Sequence, residues 1–178
     1  YREKLPLKVL DLEYDYGIGG SRNEVFEEMS GDYLLWMDTD MIMPENVTDL
    51  KRILENDESL GGLSGLLLEE GEFRAGAHNF KIQDSLFGRV LLRDTFNQDK
   101  NKVTTDLGEK TIFYFDMVQM GILFRKECLE DGKWDEEYIT HGEHTDFFLN
   151  HALNTNWKFA HTPEVIFNHY PGGSDQYT

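Results

Sequence analysis

Two aspartates separated by one residue, Asp38-Thr39-Asp40, carry the most concentrated chemistry in the sequence. In extended backbone, residues two apart point to the same side, so both carboxylates can face one ligand. They follow the apolar run Tyr33-Leu34-Leu35-Trp36-Met37, and open α/β sheets place their ligands just beyond the carboxyl ends of such strands. Hard oxygen donors there suit Mg2+ or Mn2+, either of which can bridge to a diphosphate. The same pair also fits a solvated turn or a helix cap. Upstream, Gly19-Gly20-Ser21-Arg22 opens a predicted helix, and a helix amino terminus is a ready anion site. There Arg22 could face a diphosphate, or Ser21 could only cap the helix while Arg22 pairs with a neighbouring acid. Glu143 and Asp146 stand at the mouth of a later predicted helix as potential bases or as ordinary first-turn acids, with His144 between them. His169 precedes Pro171-Gly172-Gly173 and, taken alone, reads as a structural histidine.

The elements that must position these groups alternate. Lys8 to Leu12 has the pattern of a strand, and Gly17-Ile18-Gly19-Gly20 turns the chain into a helix with a Ser21/Glu24 capping box and a Val25, Phe26, Met29 stripe, closed by Gly31. Tyr33 to Met37 reads as a central strand covered on both faces. Pro44 suits the first turn of a helix whose Val47, Leu50, Ile53 and Leu54 recur at helical spacing. Leu63 to Leu68 is a predicted strand with an antiparallel partner over 73–80. The polar stretch 97–110 reads as a loop. Strands follow over 112–115 and 121–124, then a helix over 145–153 and a last strand over 165–169. The alternation predicts a three-layer α/β/α domain with a mixed sheet, spanning 1–178 as one unit.

Composition narrows the partners. The chain has 34 acidic and 17 basic side chains and a formal net charge of −17, so nucleic acid and anionic lipid are excluded as expected partners. One cysteine, Cys128, permits neither an internal disulfide framework nor a cysteine-based zinc cluster. No apolar run reaches membrane-spanning length. Because the sequence opens on Tyr1 rather than Met, a fragment is expected.

Beyond these local readings, the run from Gly17 to Asp40 resembles the family 2 glycosyltransferases of the GT-A fold. In that family a glycine, an Arg-Asn pair (here Arg22-Asn23), a helix and Gly-(Asp/Glu)-Tyr (Gly31-Asp32-Tyr33) precede a strand ending in Asp-x-Asp. The likeness continues through Gly121 to Lys126, Trp134 to Tyr138, Gly142 to Phe148 and Phe167-Asn168-His169, in family order. It implies a nucleoside diphosphate sugar as donor, a glycan or other hydroxyl compound as acceptor, and Mn2+ or Mg2+ as cofactor. By that resemblance Asp38 lies near the donor, Asp40 ligates the metal, His169 completes the metal shell, and Arg22 joins the donor site. Trp134, Asp135 and Tyr138 are expected to shape the acceptor pocket, since aromatic faces stack on sugar rings, although Trp134 fits the core equally well; in relatives Asp116 to Gln119 lies near the acceptor side. The cluster Glu143, His144, Asp146 supplies the general base. This sequence departs from the family at His144, which stands where a base aspartate is usual. That leaves three options: His144 is the base, Asp146 or Glu143 has taken the role, or inverting chemistry is not used. The Glu-His-x-Asp-Phe-Phe pattern is similar to that of hexosaminyl-transferring members. The strands that bind the nucleotide base are expected to be missing ahead of Lys8, truncating the fold and leaving a sheet edge open to a second copy. A non-catalytic glycan- or protein-binding module, and a metal-dependent hydrolase or nucleotidyltransferase, are the competing readings.

Overall fold

The structure, a computed structural model, describes residues 7–86, 88–94 and 99–172. In chain order its elements are α1 (Ile18–Glu27), β1 (Tyr33–Trp36), β2 (Met41–Ile42), α2 (Thr48–Glu55), β3 (Leu60–Glu69), β4 (Glu72–Arg74), β5 (Asn79–Ser85), β6 (Gly88–Asp94), β7 (Asp99–Thr105), β8 (Gly108–Phe115), β9 (Ile122–Arg125), α3 (Lys126–Asp131), α4 (Glu143–Asn154) and β10 (Lys158–His169). The main sheet runs β1-β9-β3-β10-β8-β7, with β2 added to β10 and β4 to β3. Only β3 and β10 pair in parallel; the other described pairs in this sheet are antiparallel. β5 and β6 form a separate two-stranded ribbon.

Both faces of this mixed sheet are covered. On one, Phe26 of α1, Leu129 of α3 and Phe147 and Phe148 of α4 pack on Ile122, Phe124 and Phe159. On the other, Leu50, Ile53 and Leu54 of α2 pack on Leu63, Leu67, Leu123 and Phe167. Adjacent residues of β9 (Ile122, Leu123, Phe124) alternate between the two cores, as the strand period of two requires. β3 lies mid-sheet and is buried almost throughout, which explains its unbroken apolar run. The result is the expected three-layer α/β/α arrangement.

Several local expectations change. Residues 7–12 form no strand. The predicted helix start shifts: Gly17 is the N-cap, and Ser21, already helical, turns its Oγ back to donate to Gly17 O at 2.6 Å instead of closing a capping box. That helix ends at Glu28, before Gly31. β1 is the outer strand of the described sheet, half-buried and paired to β9 alone, so its apolar composition reflects packing between helices rather than a central position. Pro44 opens a turn ahead of α2 and is not in its first turn. The 73–80 segment divides: β4 pairs with β3, and the chain then enters the β5–β6 ribbon. The polar 99–110 stretch is not a loop; β7 and β8 pair from Asp99↔Tyr114 to Thr105↔Gly108, with Val103 and Ile112 buried. Polar side chains there occupy the solvent face, which mimics loop composition. Residues 97 and 98 lie outside the described residues. No described helix is long and apolar enough to cross a membrane.

The core also holds a titratable group. His161 is 4% exposed, its Nδ1 3.5 Å from Ser64 Oγ, and burial lowers its pKa from 6.5 to about 4. An unfolded imidazole then binds a proton more tightly than the native one. Stability is therefore intact above the unfolded value and falls as pH drops toward the folded one. His144 and His151, also lowered by burial, act in the same direction. We predict that urea denaturation at pH 5 gives a stability lower than at pH 7.5 by about 2 kcal/mol from His161 alone, and that His161→Gln flattens this dependence.

Candidate active site

α1 is docked on the loop 134–139 by contacts that only its own residue types permit. A Cβ at Gly19 would stand 2.2 Å from Asp135 O, so this position admits no side chain. Ile18 N and Gly19 N donate to Ile139 O and Tyr138 O at 3.0 and 3.3 Å. Asn23 completes the dock: its side-chain amide donates to Trp134 O at 2.9 Å while its Oδ1 accepts from Trp134 N at 3.1 Å. The glycine-rich start of α1 thus serves helix–loop contact, with two first-turn amides engaged by carbonyls, rather than an open anion cradle. The pairing of Asn23 with a loop 111 residues away was not legible from sequence, although the Arg-Asn pair itself stood out.

Arg22, the next residue back, is nearly buried. Its guanidinium lies 5.3 Å from the Trp36 ring and 5.7 Å from the Trp134 ring, with Nη1 2.8 Å from Glu143 Oε1. Of the two roles open for Arg22, pairing with an acid is the one observed, although the residue also lines the cleft beside the aspartates. Burial lowers its proton affinity, opposed by Glu143 and Asp38. Glu143 is only 6% exposed and already neutralised, a poor arrangement for a base that must meet solvent-borne substrate.

The remaining members of that cluster divide. His144 donates from Nε2 to Val118 O at 2.8 Å, since a carbonyl can only accept, and burial lowers its pKa. This is a structural use of the ring. Asp146 is half-buried on the first turn of α4, and its pKa is raised by burial and then by the charge of Asp135. Asp135 is exposed, and Tyr138 is half-buried against Gly142. Trp134 corrects the expectation of an acceptor-facing ring: it is 4% exposed and stacks on Phe147 at 4.5 Å and 15°, so both faces are inside the core. Asp116 is likewise tied to structure, accepting from Phe80 N at 2.7 Å while its own N donates to Asn79 Oδ1.

Asp38 and Asp40 sit beyond β1 at a cleft of about 820 Å3, lined also by Tyr16, Arg22, Trp36 and Ile139. Asp38 has its pKa raised, first by burial and then by Asp40. Asp40 Oδ1 is buried without a hydrogen-bond partner, and Asp40 Oδ2 lies 3.4 Å from His169 Nε2. Tyr170 N donates to Asp40 O at 2.9 Å, and β2 pairs with the end of β10, so the aspartate turn and His169 are held together by backbone. Among the described residues no set of three or more His, Cys, Asp or Glu side chains converges as a ready metal cage. An unpartnered buried carboxylate oxygen beside an imidazole nitrogen nevertheless fits a divalent cation whose other ligands come from phosphate and water, the usual state of Mg2+. The structure therefore gathers Arg22, Asp38, Asp40 and His169 at one end of the sheet and links Glu143 to them through Arg22. Asp146 stands further along α4, outside the cleft lining.

A mixed α/β domain with paired aspartates at the tip of a strand is the architecture of the GT-A glycosyltransferases. The sequence matches the family described as Glycosyl transferase family 2 over residues 1–132, and the chain belongs to that family. Among solved structures it resembles S. aureus TarS 1-349 at 20% identity and a TM-score of 0.60, covering 96% of this chain and 45% of that one. The same protein in complex with UDP aligns over 99% and 47%, again at 20% identity and 0.60. GalNAc-T7 with UDP, GalNAc and Mn2+ aligns at 13% identity and 0.54, over 87% and 30%. At these identities the likeness is one of fold, and the chain spans less than half the length of each of these structures. No curated protein matches the sequence significantly.

The buried ion pair generates a test. Arg22→Ala leaves the Glu143 carboxylate uncompensated and is expected to cost about 3–5 kcal/mol in denaturant unfolding. Adding Glu143→Gln is expected to recover part of that loss, because the stranded charge goes with it.

Proposed function

We propose that the protein transfers a sugar from a nucleoside diphosphate donor to a hydroxyl acceptor with the help of Mn2+ or Mg2+. The observation that carries the reading is the unpartnered, buried Oδ1 of Asp40, a residue that lines the same cleft as Asp38, with His169 Nε2 against its other oxygen. Asp40 and His169 hold the cation, Asp38 contacts the donor, and Arg22 stiffens the wall between donor and acceptor sides. A cation bound there supplies positive charge to the diphosphate as it departs. Membership of a glycosyltransferase family supports the reading. So do the similar structures, TarS in complex with UDP and GalNAc-T7 with UDP, GalNAc and Mn2+.

Asp146 is the group we assign as base. Glu143 is neutralised by Arg22, and burial lowers the proton affinity of His144, whose Nε2–H is fastened to Val118 O, so Asp146 is the better base of the cluster. As the acceptor oxygen bonds to the anomeric carbon, its proton passes to the Asp146 carboxylate and the nucleoside diphosphate leaves with the bonding electrons. A raised pKa strengthens the base. Asp135 and Tyr138 border the acceptor side. A hexosyl or hexosaminyl donor fits this reading; the non-catalytic alternative predicts glycan binding with no release of nucleoside diphosphate.

Three measurements examine these roles. Asp40→Asn is expected to abolish Mn2+-dependent binding of UDP or GDP in calorimetric titration, and an unchanged titration removes the metal assignment. Asp146→Asn is expected to lower kcat by about 100- to 10,000-fold while donor binding persists. The acid limb of kcat reports ionisation of Asp146, so activity is lost as pH falls through its elevated pKa. Because Asp135 contributes to that elevation, Asp135→Asn is expected to move the limb to lower pH; a limb that stays put excludes Asp146 as the titrating base.

A further inference from the structure

Glu69 ends β3, directly opposite His169 in the parallel ladder with β10. Its Oε2 lies 2.8 Å from His169 Nδ1, and both side chains are largely enclosed. Its other oxygen, Oε1, is 3.1 Å from Arg74 Nη2 on β4, the strand that folds back antiparallel beside Glu69. The three groups therefore form a line, Arg74 to Glu69 to His169, that ends with His169 Nε2 3.4 Å from Asp40 Oδ2. Nothing in the catalytic assignment above uses Glu69 or Arg74.

A neutral imidazole carries one N–H, and a carboxylate accepting at Nδ1 draws it there, which leaves the Nε2 lone pair aimed at Asp40. Histidines that ligate metals are commonly held in this way, by a carboxylate on the other ring nitrogen that fixes tautomer and ring orientation. We infer that Glu69, steadied by Arg74, is a positioning residue that presents His169 Nε2 to the divalent cation shared with Asp40. This rests on the metal reading proposed above.

The test measures Mn2+ affinity by calorimetry at a fixed UDP concentration, and the His169 tautomer by 15N NMR in the metal-free protein. For the wild type, the Nδ1–H tautomer is expected in the absence of metal. Glu69→Ala is expected to weaken Mn2+ binding about 10- to 100-fold and to release the tautomer preference. Glu69→Gln, whose amide oxygen accepts the same proton, is expected to stay within several-fold of wild type and to keep the tautomer. In a His169→Ala background, Glu69→Ala is expected to have no further effect on Mn2+ affinity, since its action runs through the ring. If Glu69→Ala unfolds, Arg74→Ala provides the weaker form of the same loss, with Glu69→Gln as the folded comparison. Wild-type Mn2+ affinity in Glu69→Ala, or an equal loss with and without His169, overturns the inference while Asp40→Asn still tests the metal site itself. A wild type that takes up no Mn2+ with UDP overturns both.

Discussion

The parallel pairing of β3 with β10 is the constraint on which the rest of the molecule depends. Parallel neighbours cannot be joined by a tight turn, so a long excursion must separate Glu69 from Lys158. That excursion contains the β5–β6 ribbon, the β7–β8 hairpin, β9 and the helices α3 and α4. The pairing also makes both strands end together, which sets Glu69 beside His169. Since β2 attaches to the same end of β10, the Asp38–Asp40 turn is brought to that point by backbone hydrogen bonds rather than by side-chain attraction. Carboxylates that repel one another can be held close only by such an independent scaffold.

A second constraint runs through the aromatic core. Phe124 on β9 meets Trp134, Phe147, Phe148 and Phe159, with ring centroids 5.6–6.4 Å apart. Trp134 and Phe147 stack, and Trp36 leans on Trp134 at 5.6 Å. Arg22 closes this assembly from the cleft side, its charge shared between two indole faces and Glu143. A buried cation is costly unless paired and bonded, and here the pairing joins α1, which walls the cleft, to α4, which carries Asp146. The geometry of one side of the site is thereby tied to the other. A small residue at Gly19 and an amide at Asn23 are needed for α1 to come close enough.

Much of this was legible from sequence, and the failures have physical causes. The strand ending in Asp38-Thr39-Asp40, the helical spacing of Leu50, Ile53 and Leu54, and the long apolar β3 follow from periodicity and were recoverable. β7 was not, because a hairpin with one solvated face and residues such as Lys100, Lys102 and Thr104 has the composition of a loop. Trp134 fits core and acceptor pocket alike on sequence, because an aromatic beside acids looks the same in both; its stacking on Phe147 places it in the core. Arg22 offered two partners, and the choice of Glu143 depends on a contact between α1 and α4, which lie far apart in the sequence. Glu69 gave no signal at all, since its significance lies wholly in its register against His169.

The aspartate pair also imposes a cost that argues for its occupant. Asp38 binds a proton more readily than a free aspartate does, because it is partly withdrawn from water and because Asp40 is close. A folded state in which a carboxylate prefers its proton is less stable at neutral pH than the same fold without that preference. Sequences drift toward removing such penalties unless function retains them. The cation proposed at Asp40 and His169 would bring positive charge close to Asp38 and would bind only the folded arrangement, adding stability by mass action. The unpartnered Oδ1 of Asp40 has the same explanation, since a buried acceptor without a donor is otherwise an uncompensated loss. Two separate features of the aspartate turn, one electrostatic and one of hydrogen bonding, thus favour the same proposed cation at a single point.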